Sequence, residues 1–419
     1  MSLFVESEGL LGTHVSWKDV ESAMQKALKT TARFGSEKKV TNIGDQKGMF
    51  SRVGLIEAAW EGAGKEESLP SLFVVKMPSQ LPMVEASQKM GISGNDEEGG
   101  KEKMAGMGQV LRAFHNREVD VYALLTREAH PAIPFTKVYA SSKFDEKNQL
   151  KGYLITEFFP NIHPHTVIDS VSAQEITPVL KSIAAFSAIG EKLSKEELKF
   201  TEGPDLWGTV FGQFFDEKVK AQFKGMLGAF VPDQEMAGKL IQLADDYYFN
   251  VGILKQFTGL NQFLNIRPVL THGDVYSPNI FYSKVNGKLE FKGIIDFQTC
   301  TMDNPAQDVA KLIVACLDKK DRREKLQELI RIYYEQFTSQ IKGTSVPYTL
   351  QQLEDSYDLL FPVLAFVVVF AIAAKIMFLT GEDSNQIKAV AMDKILGLLE
   401  DIVTTHEKNI KRHPEFYKF

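Results

Sequence analysis

The stretch LTHGDVYSPNIFY, residues Leu270 to Tyr282, admits two readings. As a connection between two strands, its Gly-Asp and Ser-Pro steps favour turns, and Asp and Asn are common loop residues. As a phosphoryl-transfer loop of the form H-x-D-x-x-x-x-N, Asp274 accepts the proton of an attacking hydroxyl and Asn279 holds a magnesium ion. The following sequence decides between them. The runs IFYSKV and KLEFKGII flank Asn286-Gly287, the strongest short-range hairpin signal, and the chain then reaches Asp296. A hairpin returns the chain to its starting edge, so Asp296 is expected beside Asn279. An Asp and an Asn there, with waters and phosphate oxygens, make a hard oxygen site suited to magnesium.

The whole chain sets the context. Its 419 residues exceed one simple core, so two or three packed units are expected. With 44% hydrophobic and 24% charged residues it has an ordinary globular composition. A net charge of -6 argues against a nucleic-acid partner, which calls for a basic face. The two cysteines, Cys300 and Cys316, fit neither a disulfide framework nor a zinc spacing, which points to a reducing, cytoplasmic setting. The first residues, MSLFVESEGLLGTHVSW, have no basic region or long apolar run and do not read as a signal peptide. Leu359 to Ala374 is an uncharged apolar run that contains Pro362 and is shorter than the roughly 20 residues of a spanning helix. It is expected to be a helix buried on all sides, with no membrane partner.

Along the chain, Ser16 to Phe34 reads as an amphipathic helix opened by Ser16 and Asp19 and ended by Gly35. Strand patterns follow at Ser51–Trp60 and Ser71–Lys76, and again at Phe135–Ala140 and Gly152–Phe158. Between them, Ser87 to Gly108 is rich in glycine and charge and reads as a mobile insertion, and Gln109 to Arg127 as a helix. Beyond Pro160 helical patterns dominate, among them one opened by Ser172 and Glu175 and others at Gly208–Lys224, Asp233–Phe263 and Pro305–Leu317. The expectation is an α+β chain, with a small α/β lobe over residues 1–160 and a large helical lobe over 161–419 that carries one hairpin.

Taken together, HGDVYSPN and IIDFQ resemble the aminoglycoside phosphotransferase/choline kinase superfamily, and most closely its ecdysteroid kinase-like (CHK kinase-like) branch. The first matches the HGDxxxxN signature called Brenner's motif; the second stands where protein kinases have D-F-G, with Gln298 in place of Gly. The resemblance covers roughly residues 35 to 380. It implies a bilobal, protein-kinase-like fold, Asp274 as catalytic base, Asn279 and Asp296 as magnesium ligands, and ATP as phosphate donor.

The resemblance directs attention to the first lobe. Phe73-Val74-Val75-Lys76 ends an apolar strand with a lysine, as does the kinase segment that holds the α- and β-phosphates. A solvated lysine at a strand end is the plainer alternative. Its expected partner is Glu118 in Asn116-Arg117-Glu118-Val119, with Glu128 the alternative. Upstream, residues 43–52 resemble the branch's nucleotide loop. Gly44 and Gly48 would let backbone N–H groups approach phosphate, and Ser51 would add a hydroxyl, although glycines between strands usually only turn the chain. Residues 153–160 resemble the hinge, where the backbones of Glu157 and Phe159 would hold adenine.

Asp308 matches a family aspartate that braces the catalytic loop, and His272 is expected to orient that loop. His163 and His165 either touch substrate or stand exposed on a loop. Trp207, Phe211, Phe214 and Phe215 line an acceptor pocket or pack in the core; their spacing fits both. The resulting expectation is an ATP- and Mg2+-dependent kinase for a small-molecule alcohol, bulky and apolar in preference to cationic. HGD in place of H-R-D, and the lack of a later A-P-E, argue against a protein kinase. A catalytically inactive nucleotide-binding scaffold is the rival from another class; Asp274, Asn279 and Asp296 are all present, which argues against it.

Overall fold

The structure, a computed structural model, describes residues 2–44, 50–89, 98–204, 217–249, 257–341, 343, 345–377, 379 and 384–418. The chain forms two compact units, Met1–Ala129 with Phe135–Asn161, and His130–Pro134 with Ile162–Phe419. The fold class is α+β, with the large sheet in the first unit and most of the helix in the second.

In the first unit, helix α1 (Trp17–Leu28) starts at a reciprocal capping box between Ser16 and Asp19. It stops at Leu28, short of the expected Phe34, because Lys29 turns left-handed at φ 55°. Phe34 instead belongs to strand β1 (Arg33–Phe34), which pairs with β4 (Trp60–Glu61). There its ring packs between Trp17, Trp60 and Phe73 at centroid distances of 6.1, 4.7 and 6.0 Å. Strands β2 (Lys39–Asn42), β3 (Ser51–Glu57), β5 (Leu72–Pro78), β6 (Val138–Ser142) and β7 (Tyr153–Glu157) form an antiparallel sheet in the order β2-β3-β5-β7-β6. Alternate residues of β3 and β5 are buried, as one covered face requires. Ile56, Phe73, Val75, Met77 and Ile155 form a core with Val20 and Met24 of α1.

Of the insertion expected at Ser87–Gly108, the described residues are helical, and residues 90–97 lie outside the described residues. Helix α2 (Leu81–Lys89) enters it, and α3 (Glu98–Glu128) starts at Glu98, well before the expected Gln109. Met107, Leu111 and Phe114 extend the buried stripe back at helical spacing, which outweighs the low helix propensity of Gly106 and Gly108.

The second unit holds the hairpin β9 (Ile280–Val285) and β10 (Lys288–Ile294), and a short pair formed by β8 (Val269–Thr271) and β11 (Thr301–Asp303). Every strand pair among the described residues is antiparallel. Its longer helices among the described residues are α4 (Ala173–Gly190), α5 (Glu217–Phe230), α6 (Gln234–Leu243), α7 (Ala306–Cys316), α8 (Lys319–Gln340), α9 (Leu350–Met377) and α10 (Ser384–Arg412). Within the helix expected over Asp233–Phe263, α6 passes into a π-helical turn at Ala244–Tyr248, residues 250–256 lie outside the described residues, and Leu260–Phe263 is again helical. The rings of Tyr248, which ends that turn, and of Phe249 just beyond it lie 5.6 and 5.5 Å from that of Phe366. Helix α9 is long and apolar enough to cross a membrane, yet 67% of its most apolar stretch is buried, packed by α7 and α10.

Candidate active site

Strand β8 is wholly buried and delivers the chain to His272-Gly273-Asp274. It is backed by α4, so closely that a Cβ on Gly190 would lie 2.5 Å from Leu270 Cβ. Asp308, in the first turn of α7, grips the loop backbone: its two carboxylate oxygens accept the N–H groups of His272 and Gly273 at 2.7 and 2.8 Å. Gly273 has φ +82°, and a Cβ there would lie 2.6 Å from the carbonyl oxygen of Thr299. Glycine is thus required twice over, by conformation and by space.

His272 is fully buried, and both ring nitrogens are engaged. Nδ1 accepts the Asp274 N–H at 3.2 Å, so Nε2 carries the hydrogen and donates to the Ile295 carbonyl at 3.0 Å. Burial holds its pKa below the usual histidine value, against the raising effect of the carboxylates of Asp308, Asp274 and Asp296. Burial likewise raises the Asp308 carboxyl, opposed by His272, the two backbone N–H groups and Lys311. The neutral imidazole is a strut between the catalytic-type loop and the end of the hairpin. Phe297 closes over it, ring centroids 4.6 Å apart.

The hairpin turns at Asn286 and Gly287, both at positive φ (51° and 81°), as a tight Asn-Gly turn requires. Its register pairs Ile280 with Ile294, and the Ile295 N–H then donates to the Asn279 carbonyl at 3.0 Å. Asp296 therefore stands one residue beyond a backbone bond to Asn279. It adopts a left-handed conformation, φ 68° and ψ 58°, tolerable for Asp and uncommon outside glycine.

Asn279 donates from Nδ2 to the Asp274 carbonyl at 2.9 Å and to Asp274 Oδ2 at 3.1 Å. Its amide oxygen is thereby the end available to a cation. Among the described residues no three His, Cys, Asp or Glu side chains gather into an all-protein metal cage. One carboxylate and one amide oxygen instead suit magnesium, which keeps waters and binds through few protein ligands plus phosphate. The other oxygen of Asp274, Oδ1, is held by the ammonium of Lys311 from α7. Lys311 escaped the sequence reading. Its signal was the lone cation of a largely apolar helix, three residues after Asp308 and hence on the same side.

In the first unit, Lys76 lies mid-sheet, between Val53 and Leu154 on the flanking strands. Its Nζ donates to both carboxylate oxygens of Glu118, at 2.9 and 2.8 Å. Glu128, the alternative partner, pairs with Arg127. Helix α3 is fixed for this contact by Asn116, which donates to and accepts from the Phe144 backbone at 2.8 Å, and by His115, bonded to the Ser142 carbonyl at 2.8 Å.

Other expected residues are more loosely placed. The Gly44 N–H is engaged by Asn42 Oδ1 at 3.1 Å, and a Cβ there would press on Val53 at 3.1 Å, so Gly44 has a packing role of its own. Ser51 opens β3, and Gly48 lies outside the described residues. The Glu157 N–H donates to the Lys137 carbonyl, which leaves only its carbonyl for an adenine contact; Phe159 follows β7 by two residues. His163 bridges to the Tyr282 backbone, and the His165 ring lies 5.5 Å from that of Tyr282, so both brace the hairpin. Trp207, Phe211, Phe214 and Phe215 lie outside the described residues.

Comparison with known proteins gives two kinds of likeness. The family DUF1679, described as "Uncharacterized oxidoreductase dhs-27", matches residues 3–410. The "Uncharacterized oxidoreductase dhs-27" of Caenorhabditis elegans is 22% identical over 293 residues, which are 68% of this chain and 34% of that protein. The chain thus spans about a third of the length of the curated relative it matches. Among solved structures, the choline kinase of Cryptosporidium parvum is 12% identical, with 91% of this chain and 92% of that one covered and a TM-score of 0.42. The ethanolamine kinase of Plasmodium vivax is 14% identical, covering 88% and 84%, with a TM-score of 0.39. The GDP complex of aminoglycoside 2'-phosphotransferase-IIIa is 12% identical, covering 94% and 99%, with a TM-score of 0.38.

Proposed function

This chain belongs to the DUF1679 family, and from the chemistry of its site we propose that it is an ATP- and magnesium-dependent phosphotransferase acting on a hydroxyl of a small molecule. The observation that carries this reading is the grouping of Asp274, Asn279 and Asp296. Asn279 holds Asp274 through its amide nitrogen, and the hairpin returns Asp296 to the residue next to a backbone bond with Asn279. A base and a hard oxygen site side by side are what phosphoryl transfer asks of a protein.

Asp274 would accept the hydrogen bond and then the proton of the acceptor hydroxyl. As the acceptor oxygen bonds to the γ-phosphorus, the bond to the bridging oxygen of ADP breaks, and ADP leaves with the electron pair. Asn279 and Asp296 would hold magnesium, which when bound neutralises charge on the phosphate oxygens. Lys76, fixed by Glu118, supplies a further positive charge for phosphate. His272 stays neutral and holds the loop, taking no part in proton transfer.

The oxidoreductase name belongs to a protein of which this chain spans about a third. Nicotinamide-dependent enzymes of the doubly wound kind carry their dinucleotide on a parallel sheet, and all strand pairs among the described residues are antiparallel. That favours phosphoryl transfer. The likeness to the ecdysteroid kinase-like branch suggests a bulky, apolar, steroid-like alcohol as acceptor. A net charge of -6 fits a chain without a nucleic-acid partner, and the covered α9 fits one without a membrane.

The test is incubation of the purified chain with γ-labelled ATP, magnesium and a metabolite extract, followed by identification of the labelled product. A labelled alcohol phosphate is expected. Magnesium-dependent ATP binding with no transfer across a broad acceptor panel would favour an inactive scaffold instead.

A further inference from the structure

Helix α7 is buried along its whole length except at Lys311, which is partly buried: Ala306 to Ala310 and Leu312 to Cys316 are all buried. A lysine is seldom kept in such company without a partner. Here the partner is the proposed base. Lys311 passes beside the Tyr276 ring, its Nζ 5.5 Å from the centroid, and ends on Asp274 Oδ1. The side chains of Lys311 and Asp274 are only 14% and 21% exposed, so the pair is shielded from much of the screening that weakens surface ion pairs.

We propose that Lys311 is a positioning residue for Asp274, which it also supports by placing a positive charge near the phosphoryl group in transfer. This inference rests on the phosphotransferase reading above. Asp274 is held from both sides, at Oδ1 by Lys311 and at Oδ2 by the Asn279 amide, which fixes the carboxylate plane. Each oxygen keeps a second lone pair for the acceptor hydroxyl. That hydroxyl must come within about 3 Å of the carboxylate and about 3–3.5 Å of the γ-phosphorus. An ammonium touching the same carboxylate then stands about 6 Å from the transferred group. One helix thus controls the loop twice, its backbone through Asp308 and its acting side chain through Lys311.

The test uses the full chain with magnesium, γ-labelled ATP and water as acceptor, read as labelled phosphate released. Lys311→Met should lower kcat by about 10²-fold, as losing one preorganised electrostatic contact does, with KM for ATP near wild type. Lys311→Arg should restore most of that loss, since it returns the charge. In an Asp274→Asn background, Lys311→Met should add little, because the two act through one carboxylate. A wild-type kcat in Lys311→Met, or Lys311→Arg as impaired as Lys311→Met while both keep the wild-type melting temperature, would overturn the positioning role and leave the phosphotransferase reading standing. A wild type that neither binds ATP with magnesium nor releases phosphate would remove that reading, and this role with it.

Discussion

Glu118 of α3 holds the Lys76 ammonium with both carboxylate oxygens, at 2.9 and 2.8 Å, and Glu118 is almost wholly buried. Removing one partner of such a pair strands a buried charge, a loss of about 3–5 kcal/mol. Lys76→Met should therefore destabilise the chain and weaken ATP binding together. A Lys76→Met/Glu118→Leu double variant separates the two effects. Its melting temperature should recover while ATP affinity, followed by calorimetry, stays low. Recovery of affinity along with stability would show that Lys76 serves the fold alone.

Asp274→Asn keeps the shape of the side chain and removes its capacity to take a proton. Turnover should fall by about 10²–10⁴-fold, the range for a lost general base, with ATP·Mg affinity retained. Single-turnover transfer measured beside calorimetric binding checks this, and unchanged turnover would remove Asp274 as the base.

Asp296→Asn takes charge from the proposed metal shell, not from the base. Here the effect should appear in binding: ATP affinity should lose most of its dependence on magnesium concentration. A magnesium titration that superimposes on wild type would place the ion elsewhere.

Gly273→Ala probes the loop without touching a charge. The positive φ and the Thr299 carbonyl 2.6 Å from the new Cβ both oppose it. A loss of about 1–3 kcal/mol is expected, with kcat reduced more than KM because the loop must shift to make room. Wild-type thermal stability in this variant would contradict the packing described for the loop.

His115 gives a pH dependence. Burial lowers its pKa from 6.5 to about 4, reinforced by the charges of Lys76 and Lys143 and opposed by its bond to Ser142. Between about pH 6.5 and 4 the unfolded chain binds a proton that the folded chain refuses. Stability is thus fully present above the unfolded pKa and is lost as pH falls through that window, by about 1.4 kcal/mol per pH unit for this group. Urea midpoints of wild type and His115→Gln across the window should converge toward low pH; parallel curves would assign the acid sensitivity to other groups.

What was legible in the sequence was local. Asn286-Gly287 between alternating runs fixed the hairpin, and the hairpin alone is enough to bring Asp296 back to Asn279. The capping boxes at Ser16 and Ser172 likewise lie within four residues of chain. What escaped depends on distant partners. The end of α1 is set by the rings awaiting Phe34, and the start of α3 by the buried stripe that includes Met107, against a glycine-rich composition. Lys311 has no motif of its own and acquires meaning only when Asp274, 37 residues earlier, meets it. At Gly44 the motif gave no sign of the bond its N–H makes to Asn42 Oδ1.

Helix α9 has a consequence for how the chain is made. During synthesis Leu350–Met377 leaves the ribosome before α10, a helix that packs against it. For that interval it presents the same apolar length that targeting factors and the translocon recognise. Premature termination before Ser384 would leave that face permanently uncovered, and the expected fate of such a product is chaperone retention or aggregation.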